Sequence, residues 1–174
     1  MNFELEKAYP VLSRTPTLLR AWLEGLDESW IYSNEGPDTF SPFDVLGHLI
    51  QGERTDWAAR TRIILEQGTS RTFEPWDRFA QYELSKGRSL ADLLDEFETL
   101  RKENLNWLMS LNLTDEDLEK KGIHPSLGEV TLRNLLATWV VHDLTHLAQI
   151  GRVMGKQYRE ELGPWPAYFR ILDF

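Results

Sequence analysis

Hydrophobic residues recur at helical spacing in four stretches of the chain, and no stretch alternates convincingly at the strand period. The first stretch runs from about Phe3 to Leu26 and carries Leu12, Leu19, Trp22, Leu23 and Leu26. Pro10 and Pro16 fall inside it, and Thr15-Pro16 can form an N-cap and first-turn pair. This helix is therefore either kinked or split. The second begins at Ser41-Pro42-Phe43-Asp44, a serine N-cap, a proline at N1 and an acidic N3 residue, and runs to about Gln67 before Gly68. The third begins at Ser89-Leu90-Ala91-Asp92 and continues to about Leu111 through Leu93, Leu94, Phe97, Leu105 and Leu108. The fourth runs from Thr131 to about Met154, with Gly155 placed to end it as C′.

The connections on either side of the second helix are long. The one from Gly68 to Arg88 contains Phe73, Trp76, Phe79 and Tyr82, with room for a short helix. The tail Gly163-Pro164-Trp165-Pro166-Ala167-Tyr168-Phe169 is aromatic enough to be expected across one end of the bundle. These features predict an all-α protein, a four-helix bundle with long connections, as one domain over residues 1–174.

Composition narrows the function. A net charge of −9 without a basic stripe argues against nucleic acid as a partner. The chain has no cysteine, which excludes disulfides, thiolate ligands and a protein thiol nucleophile, so any thiol chemistry needs a thiol from outside. The N-terminus lacks the pattern of a signal peptide, and no apolar run reaches the roughly 18 residues of a membrane span. A soluble cytoplasmic protein without a membrane partner is expected.

The candidate chemistry lies in the histidines. His142 and His146 are four residues apart on the fourth helix, one above the other on a face that also carries Leu135, Leu136, Trp139, Ile150 and Val153. Two such imidazoles can chelate one divalent ion, with His48 of the second helix as a third ligand. Three protein ligands leave positions open for water or substrate, as in catalytic rather than structural sites. His48 falls at the edge of its apolar stripe, and Asp44, one turn earlier, could accept a hydrogen bond from its second ring nitrogen. Asp143 shares the inward face with the two histidines, and Glu53 projects into the stripe of its own helix. Both need partners there and are candidate catalytic groups. The ordinary alternative makes them members of structural ion pairs with arginines such as Arg54 or Arg133. By the same ordinary reading, a His-x-x-x-His pair is two unrelated residues and His124 is a solvated loop residue. His142-Asp143-x-x-His146 also resembles the zincin motif with aspartate in place of glutamate. The His-Asp dipeptide resembles that of HD-domain phosphohydrolases, but the remaining ligands of that set cannot be assembled here.

Three segments together carry a family resemblance. They are Arg14-Thr15-Pro16-Thr17-Leu18-Leu19 followed by Trp22 to Leu26; Ser41-Pro42-Phe43-Asp44-Val45-Leu46-Gly47-His48-Leu49; and Thr131 to Leu136 continuing through His142-Asp143-Leu144-Thr145-His146-Leu147-Ala148-Gln149-Ile150. In this order and separation they resemble the DinB-like superfamily of four-helix-bundle metalloproteins, which includes bacillithiol-transferase-like and mycothiol-dependent enzymes. The resemblance places the metal histidines on His48, His142 and His146, with zinc or nickel as the ion, and implies a homodimer.

On that basis the leading expectation is a metal-dependent transferase that joins a low-molecular-weight thiol to an electrophilic small molecule. The alternatives are a metal-dependent hydrolase, in which a bound water becomes the nucleophile, and a non-catalytic metal-binding stress protein.

Overall fold

The structure, a computed structural model, describes residues 2–173. Its four long helical stretches are α1 (Leu5–Leu23), α3 (Pro42–Thr55) continued by α4 (Trp57–Glu66), α6 (Leu90–Ser110) and α8 (Leu132–Gln157). Shorter helices lie between them: α2 (Glu28–Tyr32), α5 (Ala80–Ser85) and α7 (Asp115–Leu118). The helix starts follow local chemistry. Ser41, Ser89 and Thr131 each close a capping box with Asp44, Asp92 and Asn134. Asp44 is thereby committed to Ser41, whose N–H and Oγ it bonds at 2.9 and 2.7 Å, and not to the second ring nitrogen of His48 as the spacing suggested.

Several boundaries differ from the sequence expectation. α1 runs through both prolines without splitting, and Thr15 is a buried mid-helix residue rather than an N-cap. The second helix breaks at Asp56, whose φ of −110° and ψ of −79° interrupt the register between α3 and α4. α8 continues through Gly155 to Gln157, and Leu172 of the tail packs over that turn. Leu172 is the buried anchor of the tail, whereas Trp165 and Tyr168 stay 60 % and 78 % exposed. The expectation of an aromatic cap over the bundle end is therefore corrected to an aliphatic one.

Two strands were not foreseen. β1 (Lys121–His124) and β2 (Gly128–Thr131) form an antiparallel hairpin in which His124 pairs with Gly128. His124 is thus a strand residue, not a loop residue. Four-residue strands are too short to show alternation, and tertiary contacts hold this pair: Phe73 N–H bonds the Ile123 carbonyl at 2.9 Å. Gly122 lets the hairpin press on the bundle, since a Cβ there would lie 2.8 Å from Ile64 and 2.9 Å from Phe73.

The buried hydrophobic residues form two clusters. One contains Leu19, Leu23, Leu46, Leu49, Leu94 and Ile150 among others. The second contains Leu12, Trp57, Leu105, Leu108, Leu136 and Trp139 among others. On each long helix the boundary between the clusters falls on a polar residue: Thr15, Glu53, Arg101 and Asp143. Among the described residues, no helix is long and apolar enough to cross a membrane.

The hairpin seat gives a direct test. Gly122→Ala should lower the unfolding free energy by about 1–3 kcal/mol through overpacking against Ile64 and Phe73, read from urea unfolding midpoints.

Candidate metal centre

Arg101 of α6 fixes the frame of the site. It lies in the apolar stripe between Phe97 and Leu105, and its guanidinium is almost fully buried. Nε and Nη2 donate to Glu53 Oε1 at 3.0 and 2.8 Å; Nη1 donates to Asp143 Oδ2 at 2.6 Å and the Leu12 carbonyl at 2.7 Å; Nη2 also donates to Asp143 Oδ1 at 2.9 Å. All five guanidinium N–H groups are used. The remaining carboxylate capacity is met by Trp139 Nε1 and Asn104 Nδ2 on Glu53, and by the Thr15 hydroxyl on Asp143. Burial alone would lower the Arg101 pKa, but the Glu53 and Asp143 carboxylates more than reverse this, so it stays protonated.

The partners expected from sequence are therefore corrected. Arg54 pairs with Glu96, and Arg133 with Glu119 and Asp115. The sequence signal for Arg101 is a charged residue at a core position of the α6 stripe, between Phe97 and Leu105.

His48, His142 and His146 meet beside this network. His48 Nε2 and His146 Nε2 each lie 3.1 Å from His142 Nε2, and one ligand atom from each ring falls within 4.8 Å of the others. Two nitrogens bound to one tetrahedral zinc would be about 3.3 Å apart. The His146 Nδ1–H donates to Gln149 Oε1 at 2.7 Å, which leaves a lone pair on Nε2. His48, at the edge of its apolar stripe, is nonetheless buried, with Phe40 and Trp76 each at 5.6 Å between ring centroids.

Each imidazole is held neutral, the form that binds metal. Burial, then the His146 ring and the Arg78 charge, push His48 from 6.5 down to about 3. Burial, then His146, His48 and Arg101, push His142 from 6.5 to about 2. Burial also lowers His146, opposed by its bond to Gln149 and by the Asp143 charge. Close neutral nitrogens with convergent lone pairs repel one another unless a cation lies between them. The Asp143 carboxylate, whose charge acts on His146, adds an attraction for such a cation. The donor set thus fits a divalent ion.

A cavity of about 270 Å³ adjoins His142. Its walls include Trp57, Phe73, Trp76 and Leu135, and His124, Asp56 and Arg60 also line it. Burial pushes the Asp56 carboxyl up to about 6 despite the neighbouring Arg60. Glu53 and Asp143, with side chains 0 % exposed, are not among the lining residues. Sequence reasoning missed Asp56 and Arg60, because only the break after α3 turns them toward this space.

The DinB superfamily model matches residues 12–150. The chain belongs to the DinB superfamily. Among solved structures, YfiT from Bacillus subtilis shares 22 % identity over 87 % of this chain and 86 % of its own, with a TM-score of 0.74. YfiT is described as "a probable metal-dependent hydrolase with an unusual four-helix bundle topology". At that identity the likeness establishes the DinB fold alone. A search of curated proteins finds no match.

Two predictions follow from the site. Replacing Arg101 by Met strands two buried carboxylates and should cost about 3–5 kcal/mol of unfolding free energy or prevent folding, measured by urea titration. The second concerns pH. The unfolded chain protonates its histidines below pH 6.5, whereas folded His48 resists until about pH 3. Metal-free protein should therefore lose stability as pH falls through this window, by up to roughly 1.4 kcal/mol per histidine per pH unit. Unfolding midpoints at pH 7.5, 6.0 and 5.0 check this, with a shallower decline expected for His142→Ala.

Proposed function

We propose that this DinB-superfamily protein is a metal-dependent transferase that uses a low-molecular-weight thiol on an electrophilic small molecule. One observation carries the metal-dependent part: three neutral imidazoles converge through Nε2, and one of them, His142, lines a largely apolar cavity. A divalent ion bound there, zinc or nickel, supplies Lewis acidity that keeps a thiol deprotonated near neutral pH. His48, His142 and His146 hold the ion. Trp57 and Trp76 flank the histidines and limit water around the reacting atoms. Glu53 and Asp143, expected as catalytic groups, are better assigned as positioning residues, since their oxygens are occupied by Arg101, Trp139, Asn104 and Thr15. The absence of cysteine is compatible with a thiol brought from outside.

A metal-dependent hydrolase is the second reading, and the description of YfiT favours it. The family resemblance further supports a homodimer. Val141 and Leu144, 60 % and 50 % exposed on α8, offer apolar surface for a second copy.

Elemental analysis of untagged protein tests the metal reading. About one zinc or nickel per chain is expected in the wild type, and none in His48→Ala or His142→Ala. Metal-free wild type that takes up neither ion in titration would sink it. Turnover that requires added thiol supports the transferase, and turnover indifferent to thiol supports the hydrolase.

A further inference from the structure

The cavity beside the histidines is a trough with two chemically different ends. Asn134, Thr138 and His142 line it at four-residue intervals along α8, a row about 12 Å long at 1.5 Å per residue. The facing wall is α4. Trp57 lies against His142, with ring centroids 5.1 Å apart, and Arg60 follows one turn further from the histidines. The Arg60 guanidinium sits 5.2 Å from the Phe73 ring, which meets His124 edge-on at 6.3 Å. The trough therefore passes from the histidine centre, through aromatic walls, to a polar end made by Arg60, Asp56 and His124.

The hairpin fixes the chemistry of that far end. Ser126 N–H and Leu127 N–H both donate to His124 Nδ1, at 3.1 and 3.2 Å. The ring proton of neutral His124 is therefore on Nε2, which is a hydrogen-bond donor. Burial and the charge of Arg60 both hold this ring neutral. The charge of Arg60 is already balanced: its Nε lies 2.8 Å from Asp56 Oδ1 in an ion pair, and its Nη2 donates to the Glu74 carbonyl at 3.3 Å. An entering anion would meet a neutralised guanidinium and the Asp56 carboxylate. A neutral carbonyl oxygen needs only the N–H donor. The cavity of 270 Å³ equals about nine water volumes at 30 Å³ each, which suits one ring with a short side chain.

We propose that the trough takes a neutral, ring-bearing small molecule whose carbonyl-type oxygen accepts from His124 Nε2–H and whose opposite end lies at His142. This rests on the metal-centre reading only for which end reacts. His124 is then a substrate-binding residue, and the hairpin exists in part to present it.

Isothermal titration of zinc-treated protein with 3-phenylpropanamide, 3-phenylpropionate and propanamide tests the proposal. The aryl amide is expected to bind at least tenfold more tightly than the carboxylate, which carries the wrong charge, and than propanamide, which lacks the ring. Thr138→Phe fills the trough from an exposed helical position whose hydroxyl bonds its own helix, and should weaken amide binding at least tenfold without changing zinc content. His124→Phe keeps the ring and removes the donor, with the same expected loss. No amide binding, tighter binding of the carboxylate, or wild-type affinity in Thr138→Phe or His124→Phe would each overturn it. Failure of the metal reading is distinct: a protein without bound zinc that still binds the amide, with the same response to both variants, leaves the trough intact.

Discussion

The buried guanidinium of Arg101 is the interaction on which the rest of the structure depends. It meets a carbonyl of α1, a carboxylate of α3 and a carboxylate of α8 from its own position on α6. Each long helix contributes its polar residue at the level where one apolar cluster gives way to the other. Hydrophobic burial supplies most of the stability of such a bundle and is tolerant of small shifts in helix register. A five-donor network is not, because any slip leaves a buried charge without its partner. The network therefore sets how the four helices align along the bundle axis.

That alignment determines the candidate metal centre. Glu53 lies five residues after His48 on α3, and Asp143 directly follows His142 on α8. Holding the two carboxylates on one guanidinium fixes the height and rotation of both helices, and with them the meeting of the Nε2 atoms. The same groups give the centre its electrostatic character. Burial keeps the imidazoles neutral, and the Asp143 charge acts on His146, next to where a cation fits. Structural and chemical roles thus coincide in residues that never touch the cavity.

The cavity itself is built by parts outside the simple bundle. The break at Asp56 turns α4 so that Trp57 and Arg60 face α8. Thr72 and Phe73 join the hairpin edge, and Gly122 lets that edge seat against Ile64 and Phe73. The bundle supplies the three histidines, while the long connections and the hairpin decide the shape and polarity of the space next to them.

Helix existence, the capping boxes and the all-α class were legible in the sequence, because amphipathic spacing and cap chemistry are local properties of the chain. So was the histidine set, through the four-residue spacing on α8 and the family resemblance at His48, His142 and His146. The partner of Glu53 and Asp143 was not legible. Arg54 and Arg133 are near in sequence, but Arg101 is near in space, and ion pairing follows distance rather than sequence. The hairpin escaped because four-residue strands carry no readable alternation and are held by contacts with Phe73. For the same reason His124 read as a loop residue: its place on the cavity wall depends on a strand pairing and on a glycine beneath it. The sequence determined which residues form helices and which side chains could bind a metal. Only the tertiary structure decided which charges pair and what lines the cavity, because both depend on contacts between residues far apart in the chain.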